Sequence, residues 1–213
     1  MKRHLVLAAA ALALAATSTT HAAAQRRPVS LIVGLGPVQG SSLGYVADSD
    51  GGTSARLLGS TAPMLGIQAP TPIRGVDLRV TAQHSTPALA MQSADGYVVK
   101  DHAGVTSLTA DLVINLPHVG PIRPYLLAGA GVRYYEFHER TYFADGASVA
   151  PQDALVPTLH LGAGAAWKVG PAEMFTEASL VSGHYSAPNA LPGGRTVANV
   201  GFTLGMRIPL GRR

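Results

Sequence analysis

The stretch GVDLRVTAQHS, from Gly75 to Ser85, decides the fold class of this chain. Apolar and polar residues alternate along it, at the period of two that is typical of a β-strand with two different faces. One face carries Val76, Leu78 and Val80, and the other carries Asp77 and Arg79. A soluble barrel would turn the charged face to water, whereas a membrane barrel would turn it into the lumen, so the alternation alone leaves the orientation open.

The first 24 residues have the layout of a secretory signal peptide. Lys2 and Arg3 precede an uncharged run rich in Ala and Leu, and small residues follow in THAAAQ. We expect cleavage after Ala24, with Ala22 as the alternative, which leaves residues 25–213 as one domain. Removal of Lys2 and Arg3 from the 16 basic residues leaves 14 against 12 acidic residues, so the mature chain is nearly neutral.

The composition narrows the choice of architecture. The chain is 47% hydrophobic and 13% charged, against about 25% charged residues in an average soluble domain. It has no cysteine, which excludes a disulfide framework, and no basic cluster typical of nucleic-acid binding. After the signal no window of about 18 apolar residues remains, so no transmembrane helix is expected. An exported, apolar chain of this kind favours a barrel of alternating strands.

Eight alternating segments follow along the chain, most of them near the ~9–11 residues that a tilted transmembrane strand needs. They lie at Val29–Gly36, Ser54–Gln68, Gly75–Ser85, Gly104–Pro117, Arg123–Phe137, Leu155–Lys168, Ala172–Tyr185 and Thr196–Leu210. Pro63 is expected to interrupt the ladder of the second segment. We therefore predict an all-β fold, an eight-stranded up-and-down antiparallel transmembrane β-barrel.

The connections differ in length in a regular way. Those after the second, fourth and sixth segments are short. Those after the other segments are longer and polar, at residues 37–52, 85–103, 138–154 and 186–195. Long loops at one end and tight turns at the other are typical of outer-membrane barrels.

The polar faces indicate which side of the wall is inside. Their mid-strand charges are balanced, with three acids and three bases: Asp77, Asp111, Glu177, Arg79, Arg133 and Arg207. We expect these six to form a charge network in the lumen, where opposite charges can pair. The other face has no mid-strand charge, as expected where a cation at the bilayer midplane costs about 2–4 kcal/mol. The predicted lipid-facing residues are Val76, Leu78, Val80, Leu112, Leu161, Val200, Phe202, Leu204 and Met206.

Aromatic residues occur near both ends of the predicted strands. Tyr125, Trp167 and Phe175 lie next to short turns, and Tyr134 lies next to a long loop. Aromatic side chains are enriched where a membrane meets water. We therefore interpret these four residues as interface aromatics, with chance placement as the alternative.

The segments RPYLLAGAGVRYYEF, LHLGAGAAWKVGPAEMFTEASL and VGFTLGMRIPL resemble the outer-membrane β-barrel domain family, the eight-stranded porin-like proteins of Gram-negative-type envelopes. The resemblance covers about Val29 to Leu210. It implies a location in the cell outer membrane, lipid contacts, and folding by the barrel assembly machinery. Such proteins commonly end on an aromatic residue, whereas this chain ends LGRR, with Phe202 as a displaced stand-in.

One segment raises the question of catalysis. GHYSAPN, at Gly183 to Asn189, is similar to the His-x-Ser pattern of the lipid A 3-O-deacylase family, which implies Ser186 as nucleophile and His184 as base. No Asp or Glu follows Ser186 to orient that base. We expect His184 and Ser186 to be residues of a loop rim and the protein not to be an enzyme, with lipid A hydrolysis kept as the alternative.

The expected role is structural or surface-interacting. An eight-stranded barrel has an interior just wide enough to be filled by side chains. We expect no cofactor, metal or nucleic acid, and an extracellular partner of unknown identity at the long loops. A soluble, lipocalin-like periplasmic carrier is the third possibility.

Overall fold

The computed structural model describes residues 28–46, 53–93, 98–137, 153–185 and 195–211. The predicted signal peptide and most of the predicted loops 138–154 and 186–195 lie outside the described residues. No helix among the described residues is long and apolar enough to cross a membrane.

The described chain is all-β, with antiparallel pairing throughout. The strands are β1 (Val29–Val38), β2 (Ser41–Val46), β3 (Thr53–Leu57), β4 (Ser60–Pro70), β5 (Val76–Ser85), β6 (Ala88–Ser93), β7 (Val98–Asn115), β8 (Ile122–Phe137), β9 (Ala154–Val169), β10 (Ala172–Tyr185) and β11 (Arg195–Leu210).

Eight of these strands close into a barrel within the described residues. Their order around the wall is β1, β4, β5, β7, β8, β9, β10 and β11, and β11 pairs back onto β1. The predicted eight-stranded antiparallel barrel is therefore confirmed. A closed barrel pairs the backbone amides and carbonyls of its wall without leaving a strand edge.

Three tight connections define one end of the barrel, which we call the turn end. Gly75, Gly120 and Gly170 lie in these connections with positive φ angles of 83°, 59° and 60°. Residues with a Cβ rarely adopt this conformation, so glycine allows each chain reversal. The opposite end is called the loop end.

The prediction that residues 37–52 and 85–103 form loops is wrong in part, because these residues include β-strands. β2, β3 and β6 continue β1, β4 and β5 toward the loop end and pair in the order β2, β3, β6, with β6 against the first residues of β7. We call these three strands the upper panel. The polar and glycine-rich sequence predicted a loop, but pairing with neighbouring strands gives it a β-structure, since β-propensity depends strongly on context.

A break separates each strand of the upper panel from the barrel strand that it continues. The breaks lie at Gln39–Gly40, Leu58–Gly59 and Thr86–Pro87. A Cβ on Gly40 would lie 2.3 Å from the carbonyl oxygen of Leu57. Only glycine therefore fits at this position. Pro63 lies within β4, where it pairs with β1, and the ladder of β4 with β5 stops next to it, at Met64, so the predicted interruption occurs on one side of the strand only.

Candidate functional site: the barrel lumen

The two faces of the wall differ sharply in exposure. The side chains of Leu112, Leu161 and Leu204 are 50%, 56% and 49% exposed, whereas Asp111 and Arg207 are 0% and 2% exposed. The apolar face of these strands therefore points outward and the charged face points into the barrel. The other predicted lipid-facing residues also lie on the outer surface, exposed or half-buried: Val76, Leu78, Val80, Val200, Phe202 and Met206.

All six residues of the predicted charge network are buried in the lumen. Asp77, Arg79, Asp111, Arg133, Glu177 and Arg207 are between 0% and 6% exposed. They do not form one network, however. The structure brings three of them together and gives the other three different partners.

The three that meet are Arg79, Glu177 and Asp111. Arg79 Nη1 and Nη2 donate to the two carboxylate oxygens of Glu177 at 2.6 and 3.1 Å, a bidentate arrangement. Arg79 Nη2 also lies 3.5 Å from Asp111 Oδ2. β5 and β10, which carry Arg79 and Glu177, are the third and seventh strands around the wall, so this ion pair bridges the lumen from one side to the other.

Two further side chains complete this group, which we call the central cluster. The Tyr125 hydroxyl donates to Glu177 Oε2 at 3.0 Å, and His160 Nδ1 lies 2.8 Å from Asp111 Oδ1. The central cluster therefore takes side chains from β5, β7, β8, β9 and β10. Each carboxylate has at least two partners, as buried charges require.

The remaining lumen charges are held separately. Asp77 accepts hydrogen bonds from Gln68 and Asn115 at 2.8 and 3.0 Å. Arg207 lies with its guanidinium 4.5 Å from the centre of the Tyr125 ring and 5.1 Å from that of Phe175. Its Nη1 is 3.7 Å from Glu173, so ring stacking accounts for much of its environment.

Arg133 has no acidic partner among the described residues. Its Nε donates to Ser107 Oγ at 3.0 Å and its Nη1 donates to Asn199 Oδ1. The expected pairing of opposite charges is therefore wrong for this residue. Side chains on two strands, β7 and β11, supply neutral oxygen atoms instead.

The interpretation of Tyr125 and Phe175 as interface aromatics is wrong, because they are 1% and 0% exposed inside the barrel. Glycines on neighbouring strands make room for the rings. A Cβ on Gly164 would lie 2.4 Å from the Tyr125 ring, and one on Gly205 would lie 2.4 Å from Phe175. Tyr134 and Trp167 lie outside on the wall, half-buried, and the Tyr134 hydroxyl donates to Asp153 at 2.9 Å.

The loop-end half of the lumen is apolar, which the sequence reasoning missed. Eleven buried side chains pack there, from the upper panel and from the facing strands. This loop-end cluster consists of Leu43, Leu57, Leu89, Met91, Ala103, Val105, Tyr135, Phe137, Val156, Tyr185 and Val197. Tyr185 meets Tyr135 edge to face with ring centres 5.6 Å apart.

Of the two residues weighed for catalysis the structure describes only His184, and no acidic side chain of the described residues contacts it. His184 is exposed at the end of β10, opposite Thr196, and makes no hydrogen bond or ion pair with another described residue. Ser186 lies outside the described residues. No group of three or more potential metal ligands occurs in the part of the chain that the structure describes.

Several lumen residues escaped the sequence reasoning. The polar residues His160, Gln68, Asn115, Ser107 and Asn199 were not singled out, because their spacing marks no chemistry. The signal that could have found Tyr125 is its position on the same face as Arg133, at even spacing along β8. Strand alternation predicts on which face of the wall a side chain lies. It does not predict how far along the barrel axis that side chain sits or which residue it meets across the lumen.

Comparisons with solved structures agree with this architecture. The Neisserial surface protein A is 14% identical with a TM-score of 0.53, covering 85% of this chain and 99% of that one. The outer membrane protein OprG of Pseudomonas aeruginosa is 15% identical with a TM-score of 0.50, covering 88% of this chain and 98% of that one.

The chain has the fold of the eight-stranded outer-membrane β-barrels. No protein-family model and no curated protein matches its sequence. At these identities the likeness concerns the fold, and any function has to be argued from the lumen and the surface of this barrel.

Proposed function

We propose that this protein is an outer-membrane barrel with a structural or surface-interaction role and a lumen closed to solutes. The observation that carries the proposal is the bidentate ion pair between Arg79 and Glu177, which crosses the lumen. Tyr125 and His160 extend this crossing to two more strands. A solute passing through the barrel would have to break buried ion pairs, whose disruption is costly.

The outer surface supports a location in lipid. Large apolar side chains are exposed on the barrel wall from Ile208 near the turn end to Val200, and Leu159 and Leu65 are 67% and 56% exposed. An apolar surface of this extent would be unfavourable in water. Contact with outer-membrane lipids removes that cost, and it fits the absence of outward mid-wall charges among the described residues.

We propose two kinds of protein partner for this barrel, one that binds at the loop end and one that acts during folding into the membrane. The long connections gather at the loop end, so we propose that an extracellular partner binds there. Folding into the membrane would require the barrel assembly machinery, with Phe202 exposed on β11 as the aromatic residue offered to it.

A conductance measurement tests the closed lumen. Full-length protein refolded into a planar phosphatidylcholine bilayer is expected to give no stepwise current. The double variant Glu177→Ala with Tyr125→Ala, which removes side chains from the centre of the lumen, is the matched variant in which steps are expected if it folds. Stable current steps from the folded wild-type protein would overturn the proposal.

Envelope fractionation tests the location. We expect the protein in the outer-membrane fraction, released only by detergent. Recovery from the aqueous periplasmic fraction would instead favour the soluble, lipocalin-like carrier.

A further inference from the structure

Arg133 is a buried cation whose partners are all neutral. It is 6% exposed, and it contacts Ser107 and Asn199 but no carboxylate among the described residues. These two hydrogen bonds use Nε and Nη1, and neither uses the third nitrogen, Nη2. A buried charge without a counter-charge is costly. Arg79 lies in the same lumen and has two carboxylates, so the difference is a property of the Arg133 site.

A cavity lies beside Arg133, between the charged and the apolar halves of the lumen. Its volume is about 30 Å³. Its polar side includes Arg133, Asn199 and Gln83, and its apolar side includes Leu57, Val105 and Tyr135. A water molecule needs a cavity of roughly 10–15 Å³, so this cavity has room for about two waters or one carboxylate group. No acidic residue lines it.

The backbone ladder of the wall is interrupted beside this cavity, between β4 and β5, and we call this interruption the gap. Their pairing ends at Met64 and Gln83, and pairing on the same side resumes only where Leu58 N donates to the carbonyl of Ala88. Pro63 and Pro87 flank the interruption, and a proline cannot donate to a ladder. Ser60 and Ala62 on one edge of the gap and Ser85 and Pro87 on the other line the cavity.

The outer mouth of this gap lies at the border between two kinds of surface. Leu35 and Leu65, beside Pro63 on the turn-end side, are 55% and 56% exposed. His84, on the other edge, is exposed and hydrogen-bonds to Thr106 at 3.0 Å. The gap therefore lies between the cavity and the upper limit of the apolar outer surface.

From these observations we propose that the cavity binds the anionic head group of a single-chain amphiphile, such as a long-chain carboxylate. The head group accepts hydrogen bonds from Arg133 Nη2, and the apolar chain leaves the barrel between β4 and β5 to lie along the outer surface. The cavity has room for the head group alone, which is why the chain must leave through the gap. The central cluster closes the lumen below, so the ligand exchanges with the membrane. This binding goes beyond the structural role proposed above.

Equilibrium binding of radiolabelled dodecanoate tests the proposal. The full-length protein in phosphatidylcholine nanodiscs is compared with empty nanodiscs, at alkaline pH so that the carboxyl group is ionised. Dodecanol and butyrate serve as competitors. We expect dodecanoate to bind at least about tenfold more tightly than either competitor, because one lacks the charge and the other lacks the chain.

Two variants and a control locate the site. Arg133→Gln is expected to weaken dodecanoate binding about tenfold, to the level of dodecanol. His84→Trp, which places a ring at the outer mouth of the gap and changes no residue of the cavity lining, is expected to weaken dodecanoate binding and leave butyrate unaffected. Arg56→Gln, which changes an exposed arginine of the upper panel, is expected to bind as the wild type does.

Three results would overturn the proposal. These are equal affinity of the wild-type protein for dodecanoate and dodecanol, equal affinity for dodecanoate and butyrate, or unchanged binding by a folded Arg133→Gln. If that variant does not fold, the comparison of the three probes on the wild type and on His84→Trp still decides. The two proposals can fail separately. If dodecanoate does not bind and the wild-type protein gives no current steps in bilayers, the amphiphile site is wrong and the closed lumen stands.

Discussion

Arg79 and Arg133 are both buried in the same barrel, yet their surroundings differ. Arg79 lies in the turn-end half of the lumen and donates to Glu177 on the opposite wall, with Asp111 nearby. Arg133 lies where the loop-end cluster begins and has only Ser107 and Asn199. The turn-end half thus combines opposite charges that pair across the lumen with a second buried apolar cluster around Phe175, whereas the loop-end half is held by apolar packing above one uncompensated cation.

Strand β7 shows why the two halves differ, because it runs through both. Its inner face carries Ala103 and Val105 near the loop end and Asp111 farther down, while its outer face carries His102 and then Leu112. Both faces change character along one strand without a change of register. The two halves follow opposite rules: an apolar interior suits a wall surrounded by water, and an apolar exterior suits a wall surrounded by hydrocarbon.

The largest expected effect comes from breaking the ion pair of the turn-end half. Glu177→Gln leaves Arg79 with only Asp111, at 3.5 Å, and is expected to lower the free energy of unfolding by about 3–5 kcal/mol. Urea unfolding of the protein in lipid vesicles, followed by the fluorescence of its single tryptophan, Trp167, measures this.

The matched control is Glu136→Gln, which changes an exposed glutamate on β8 and is expected to leave the urea midpoint within error of the wild type. Equal midpoints for Glu177→Gln and the wild type would mean that the crossing ion pair does not stabilise the barrel.

Next in size is an effect on the loop-end half. Met91, on β6, is 1% exposed in the loop-end cluster. Met91→Ala is expected to cost about 2–5 kcal/mol through lost burial and the cavity left behind. We expect the loss to be local, so that hydrogen exchange becomes faster in β3 and β6 and stays unchanged in β9 and β10.

The exposed neighbour Gln92 provides the comparison, since Gln92→Ala should leave exchange rates in the upper panel unchanged. Faster exchange in β9 and β10 of Met91→Ala would show that the two halves unfold as one unit.

The smallest effect on stability is expected at Arg133. Arg133→Gln removes a charge that has neutral partners, so it should lower the free energy of unfolding by about 1 kcal/mol or less. The same urea experiment measures it beside Glu177→Gln. A loss as large as that of Glu177→Gln would reveal an anionic partner of Arg133 already present in the purified protein.

The sequence predicted more of the fold than of the lumen. Alternation around Asp77 and Arg79, together with the missing outward charges, gave the eight strands and the direction of each face. The partners inside could not be predicted, because Arg79 and Glu177 are 98 residues apart and meet only when the barrel closes. Tyr125 and Phe175 were misplaced because an aromatic ring near a turn fits either a membrane interface or a lumen lined with glycine.

The sequence by itself therefore determined which residues share a face of a strand, because side chains alternate with a period of two whatever the strand pairs with. Only the tertiary structure decided how high each residue sits and what it meets across the barrel. Those relations depend on the register of eight strands and on the breaks that separate the upper panel from the barrel strands it continues. The pairing of Arg79, the isolation of Arg133 and the gap beside Pro63 all arise from that register.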